Sequence, residues 1–454
     1  MSTATTRRRL PLGWLIIGGI LLLVVVRLIQ SGSSRNEIET IRKSGYPTTL
    51  AELHEWYQDV PAEENAALKI LEAANSKIDA SDKALNLPGI GKTPWPEPGT
   101  KLAEEELEAL AQHIHDNTGA LKFLHEASSL SRSRYPMDLT RGPNTLLPHL
   151  AQIKGLAILL RHDVLLQSDA GQTEAAMKSL RAAFTLSGSL VPEPLLISDL
   201  VRIACVAITL EGMQHPVTDL KLSDDQLQQL SQWISKTEQQ GPQAYIRGMA
   251  GERCMGIEWF RNPGMMLSAN AGQGSATGPA VAGSAAFALL RVTGILDRDR
   301  KMLVRCLSSS IEAANLPFPE NLRRIESQQA QRQRQLGSLS GKLMIMTRML
   351  LPALDKAFHK EARLISQLRA ARTALAVERY RLAHDGKLPD TIQALVPAFL
   401  DQVPTDAFDG NPLELELLPQ GFRIVSQGAT EAANLQGPPK KNGSRKIVGF
   451  TVAR

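Results

Sequence analysis

The chain is poor in cysteine and in aromatic residues, and it has none of the short motifs that carry familiar chemistry. Its three cysteines, Cys205, Cys254 and Cys306, stand about 50 residues apart. That spacing excludes a cysteine metal cluster, and the odd number leaves at least one thiol unpaired within a monomer. Cys205 sits in the run Ile203, Ala204, Cys205, Val206, Ala207 and reads as a small buried hydrophobe. Aromatic residues make up 4% of 454 residues against 43% hydrophobic overall, which favours aliphatic helix packing over aromatic-rich sheets. There is no G-x-S-x-G, no glycine loop leading to a phosphate-binding lysine and no CxxC pair. Those absences remove the motif basis for a serine hydrolase, a nucleotide-binding enzyme or a thiol oxidoreductase. No catalytic, cofactor-binding or metal-binding residue is assigned, and no cofactor is expected.

The candidate polar constellations reduce to ordinary structure. His113, His115, Asp116 and His125 are the nearest approach to a metal set. On one helix His113 and His115 point about 200° apart, and His125 lies off both faces. His359 and Glu361, two apart on a helix, face differently and read as solvent-exposed. His384 and Asp385 stand at a helix end, where a histidine suits the C-terminal dipole.

What the sequence does contain is an address. Arg7, Arg8 and Arg9 precede an apolar run from Leu10 to Ile29, interrupted by Gly13, Gly18, Gly19 and Arg27. As helix this run is about 30 Å long, enough to cross a bilayer, with Arg27 snorkelling to the interface. Ser31 to Ser34 offers only a poor cleavage site, so an uncleaved signal-anchor is favoured over a cleaved signal peptide. Arginines in so short a tail resist translocation. The expectation is a single-pass bacterial inner-membrane protein with residues 1–9 cytoplasmic, 10–29 spanning and the bulk periplasmic. Its one membrane contact is that span.

The body, 35–340, reads as helices punctuated by turns. Thr49 with Glu52, and Ser223 with Gln226, form capping boxes ahead of Leu50, Leu53, Trp56 and Leu227, Leu230, Trp233. Pro94, Pro96 and Pro98 mark a connector, followed by one helix from about Lys101 to Ser128. Residues Leu146 to Pro194 have the form of one tetratricopeptide-like hairpin turning at Asp169 to Gln172. A Gly/Ala-rich stretch, 262–286, is expected to be a flexible loop, and Ala276 to Leu290 is too short and glycine-rich for a second span.

Residues 341–428 form a long helix and a small α+β module. Leu354, Phe358, Ile365, Leu368, Leu375 and Leu382 recur at steps of 4, 7, 3, 7 and 7, predicting a helix packed on one side. His384, Asp385 and Gly386 supply a left-handed exit, and Pro389 forbids more helix. Pro404, Asp406, Asp409, Gly410 and Pro412 make a turn-rich loop in which Asp406, Asp409 and Gly410 are candidate docking or turn residues. Leu413 to Leu417 alternates with period two, turns at Pro419, Gln420, Gly421, and returns as Phe422 to Val425, an antiparallel hairpin. Residues 429–454 read as a tail with a short strand at 447–452. The fold class is thus mainly α, with an irregular multi-helix body and a small C-terminal α+β module.

The helix, YRLAHDGKLP, the P-x-D-x-F-x-G-x-P loop and GFRIVSQG together resemble the soluble end of a type II secretion major pseudopilin. The likeness implies a long helix carrying a small sheet. The family's calcium-holding acidic residues after the strand are represented here only by Glu431, too few for an ion that takes six or more oxygens. In outline the chain also resembles uncharacterised bacterial membrane-anchored proteins. The segment Val60, Pro61, Glu63, Glu64, Asn65, Ala66, Ala67, the hairpin from Leu147 to Ile203 and the module from Ala374 to Gly428 carry that likeness.

Residues Asn321 to Thr373 hold eleven basic and three acidic side chains. Such a run is ordinarily a solvated helix face; Arg323, Arg324, Arg332 and Arg334 are the candidate basic surface for a protein partner or anionic lipid. Nucleic acid is disfavoured, because interleaved aromatics for base stacking are few. The expected function is a scaffold or accessory of an envelope assembly. The alternatives are an enzyme whose site forms only in tertiary structure, and a secretion-pilus-like subunit.

Overall fold

A computed structural model describes residues 36–79, 87–91, 93–261, 293–338, 341–436 and 447–454. The apolar run from Leu10 to Ile29 and the glycine-rich stretch 262–286 lie outside the described residues. Among the described residues no helix is long and apolar enough to cross a membrane.

The chain is mainly helical. It opens with α1 (36–43), α2 (Leu50–Trp56) and α3 (Ala66–Ser76). The start of α2 is fixed by Thr49, whose side chain accepts from Glu52 N, while Glu52 reaches back to Thr48 N at 2.7 Å, one residue earlier than a standard capping box. The single helix expected over 101–128 is two, α4 (Glu104–Asp116) and α5 (Thr118–Ala127). Asn117 divides them. Its amide accepts from Ile78 N (2.8 Å) and donates to Ile78 O (3.1 Å) and His113 O (3.0 Å), so it pairs with the strand of backbone leaving α3 instead of continuing the helix.

Helices α6 (His149–Asp169) and α7 (Thr173–Gly188) meet at a turn where Gly171 is at φ +70. They pack on one another and on α8 (Leu196–Asp219). Next is α9 (Asp224–Arg261), whose start carries a complete capping box: Ser223 N donates to Gln226 Oε1 (2.9 Å) and Gln226 N to Ser223 Oγ (3.2 Å). Helices α10 (Ile295–Ala314) and α11 (Glu320–Gly337) lead into α12 (Ile345–Ala383).

α12 is the axis of the molecule and is not packed on one side only. Thr373, Ala374, Leu375, Ala376, Val377 and Glu378 are buried in succession. At 100° per residue six consecutive positions point in every direction, so the helix is wrapped. Alanines at 370, 371, 374 and 376 let α8, α9 and the sheet approach closely. Leu382, expected on the packed face, is 46% exposed because the helix outruns its neighbours there. It ends as its sequence demands, with Asp385 and Gly386 at φ 53 and 83 and Gly386 N donating to Arg381 O.

The C-terminal sheet has the order β1 (Glu414–Leu417), β2 (Phe422–Val425), β3 (Gly449–Val452), antiparallel throughout. Leu417 pairs with Phe422, and Phe422 with Val452. The segment read as a tail therefore carries the third strand, and also α13 (Gln427–Gln436). Strand β3 rests on α8 and α12. Thr451 N donates to Gln214 Oε1 (3.1 Å), and Arg454 donates to Thr218 O (2.9 Å) and Val217 O (3.0 Å) and pairs with Glu378. The module is thereby built into the helical body.

Candidate functional site

The basic segment divides on folding. Arg332, expected on the surface, is 6% exposed and donates to Asp355 Oδ1 at 2.5 Å. Arg369 and Arg372 both face Glu238 of α9, at 2.8 and 3.8 Å. Glu361 is not exposed at all: it is fully buried and accepts from Arg202 Nη2 at 2.5 Å. Asp355 and Glu361 belong to the segment itself, so of these acids only Glu238 offsets its positive excess from outside. Arg324, Arg334, Lys342, Lys356 and Lys360 remain exposed.

The corner where α11 gives way to α12 joins charge to apolar surface. Leu343, Ile345 and Met349 are 47%, 58% and 55% exposed, far above a core residue, and Lys342 and Arg348 stand exposed among them. The geometry follows from a 3-10 turn, Gly341–Leu343, entered where a side chain at Gly341 would collide with the backbone of Gln335 and Leu336. Met346 and Thr347 face inward, held by Asp299, whose carboxylate accepts Met346 N (2.9 Å), Thr347 N (3.0 Å) and Thr347 Oγ1 (2.5 Å). With those two positions anchored, Ile345 and Met349 are left outside.

The loop residues take internal partners. Asp406, offered as a docking residue, is 1% exposed. Its Oδ1 accepts Phe408 N (2.8 Å) and Ser366 Oγ (3.3 Å), and its Oδ2 accepts Ser426 Oγ (2.7 Å) and Ala429 N (3.3 Å). It ties α12, the loop, the end of β2 and the start of α13 together, with its charge at a helix N-terminus. Asp409 accepts Asn411 N (2.8 Å) in an Asx turn, and its carbonyl takes Arg323 Nη2 (2.7 Å). Gly410 at φ +83 lies against Pro319. Two candidates from different lists, Arg323 and Asp409, are thus partners of each other.

The histidines are dispersed. His113 meets His162 edge-on at 5.5 Å, whereas His115 is exposed. His384 stacks on Tyr380 at 3.8 Å. His125 belongs to a groove of about 680 Å³ that also receives Glu126, Asp163 and Lys178, from α5, α6 and α7. Beneath it Ser179 Oγ donates to Asp163 and lies 3.0 Å from His125 Nε2. Burial and the nearby Lys178 hold His125 below the usual histidine range, so it is neutral and donates to the hydroxyl. A nucleophilic serine requires the histidine as proton acceptor and an open oxygen. Ser179 has neither, being fully buried with its proton on the Asp163 side.

A second network escaped sequence reasoning because its members are far apart in the chain. His149 Nε2 lies 2.8 Å from Glu193 Oε1, and Ser198 donates to Glu193 Oε2. Tyr135 stacks on His149 at 4.5 Å. Here the acid stands between serine and histidine, an order that ties chain segments together and does not activate an alcohol. The cysteines are free and buried, and burial pushes the Cys205 and Cys254 thiols up to about 12, far from thiolate reactivity.

No protein-family model, curated protein or solved structure matches the chain.

Proposed function

We propose that the protein is a membrane-tethered, extracytoplasmic scaffold or accessory subunit of an envelope assembly, and that it docks an acidic partner through the α11–α12 corner. The observation that carries this reading is the juxtaposition of exposed Leu343, Ile345 and Met349 with Lys342 and Arg348. Apolar anchors within a charged rim are the anatomy of a protein docking patch. The tether in this proposal is the Leu10 to Ile29 run, oriented by Arg7, Arg8 and Arg9. The pseudopilin-like order of helix, loop and hairpin fits an envelope setting, with the module serving as a rigid part of the body.

The test is cross-linking in membranes followed by gentle solubilisation and affinity recovery of the full chain. A defined partner is expected, lost in the triple variant Leu343→Ser, Ile345→Ser, Met349→Ser. Recovery as a lone monomer, or a partner indifferent to those substitutions, overturns the proposal. Binding of the purified protein to anionic vesicles, abolished by the same variant, would assign the corner to lipid instead.

A further inference from the structure

We propose that the cleft enclosed by residues 128–133, α7 and α9 binds a small organic anion, a phosphate or carboxylate group borne on a flat ring. The cleft has a volume of about 540 Å³, within the range of small-molecule sites. Three cations from three separate segments converge on it: Arg132, Arg181 and Lys236. Among the described residues no aspartate or glutamate lines it. The acid nearest in sequence on α9, Glu238, is committed to Arg369 at 2.8 Å, and Glu126 of α5 lines the separate groove beside His125.

The plain alternative is that these cations merely balance the negative ends of α5 and α7, which finish at Ala127 and Gly188 beside the cleft. The charges decide against it. Each helix end is equivalent to about −0.5 charge, and Glu64 takes up Arg132 across an exposed 2.9 Å pair, so roughly one positive charge is left over. Among the described residues neither Arg181 nor Lys236 has a carboxylate within pairing distance. The terminal carbonyls are moreover already served: Ser128 Oγ donates to His125 O (2.7 Å), Ser129 Oγ to Glu126 O (2.7 Å) and Ser189 Oγ to Leu186 O (2.6 Å). Ser189 Oγ also meets the Tyr135 hydroxyl at 2.8 Å, so its hydrogen bonding is met inside the protein.

The apolar side is Phe184 and Trp233, whose rings lie 6.1 Å apart and inclined at 50°. Trp233 lines the cleft and is only partly buried, so part of its indole is available beside the cations. A cationic rim next to an aromatic wall selects a compact anion on a ring, because a free inorganic ion leaves the wall wet and a neutral ring leaves the charge unpaired.

The experiment is calorimetric titration of the full chain in detergent with phenyl phosphate, inorganic phosphate and phenol. Phenyl phosphate is expected to bind one to one and more tightly than either fragment. The double variant Arg181→Gln, Lys236→Gln touches exposed side chains and is expected to weaken it about tenfold. Trp233→Leu, with folding checked by thermal melting, is expected to weaken phenyl phosphate while leaving inorganic phosphate unchanged. Absence of saturable binding at millimolar phenyl phosphate, or binding unaffected by the double variant, overturns the inference. It does not bear on the α11–α12 corner, whose test is separate.

Discussion

Asp406, in the loop against α12, and Glu361, on α12 itself, are both buried carboxylates, and their surroundings differ in kind. Asp406 receives four neutral donors, and among the described residues no cation pairs with it. Glu361 shares one guanidinium with Asp199: Arg202 Nε donates to Asp199 Oδ1 (2.7 Å) and Arg202 Nη2 to Glu361 Oε2 (2.5 Å). Asp199 Oδ2, Arg202 Nη1 and Glu361 Oε1 are buried and have no hydrogen-bond partner among the described residues. Glu361 Oε1 lies so near Gly241 that a Cβ there would approach it to 1.9 Å. One site is a staple built from neutral donors; the other is two carboxyl groups sharing one guanidinium in the buried core. The lesson is that burial of a charge does not reveal its worth, which depends on how many of its lone pairs are met.

Breaking each site should separate them. The largest effect is expected for Arg202→Met, which strands two carboxylates at the contact of α8 with α12. A loss of about 3–5 kcal/mol in urea unfolding is expected. Replacing Asp199, Arg202 and Glu361 together by apolar residues should restore most of that loss, since no buried charge then remains. A triple variant as unstable as Arg202→Met would show that the cluster supplies stability beyond the neutralisation of its own charges. Asp406→Ala is expected to cost less, about 2–3 kcal/mol, by orphaning donors from four segments. It should also loosen α13 selectively, seen as faster amide exchange at Ala429 than at the centre of α12.

Much of this architecture was legible along the chain. The antiparallel hairpin followed from the period-two run Leu413 to Leu417 and the turn at Pro419 to Gly421, and the α6–α7 turn from Asp169 to Gln172. Both depend on residues near one another in sequence. Glu361 was misplaced for the converse reason: comparing it with His359 describes its own helix, whereas its partner Arg202 is 159 positions away. The wrapping of α12 was missed because periodicity was counted on its large residues, while Ala370, Ala371, Ala374 and Ala376 open the other faces. Asp406 takes Phe408 N two residues on, a local contact, but nothing local points to Ser426 and Ala429. The cationic cleft shares that property, since Arg132, Arg181 and Lys236 converge only after folding.

The smallest expected effect sharpens the comparison most. Burial, with Asp199 adding a like charge and Arg202 opposing both, pushes the Glu361 carboxyl above its ordinary range. Asp199 is pushed up by burial in the same way. A carboxyl that holds its proton more tightly when folded stabilises the protein fully below its unfolded pKa, and that contribution is lost as pH rises through the folded value. Stability attributable to the cluster should therefore fall from mildly acid to neutral pH, on the order of 1–2 kcal/mol. Glu361→Gln removes one titrating group and leaves a neutral acceptor for Arg202. The melting temperature of the variant should fall less between pH 5 and pH 8 than that of the parent chain. If the variant loses stability as steeply as the parent chain over that range, the titration assigned to Glu361 fails.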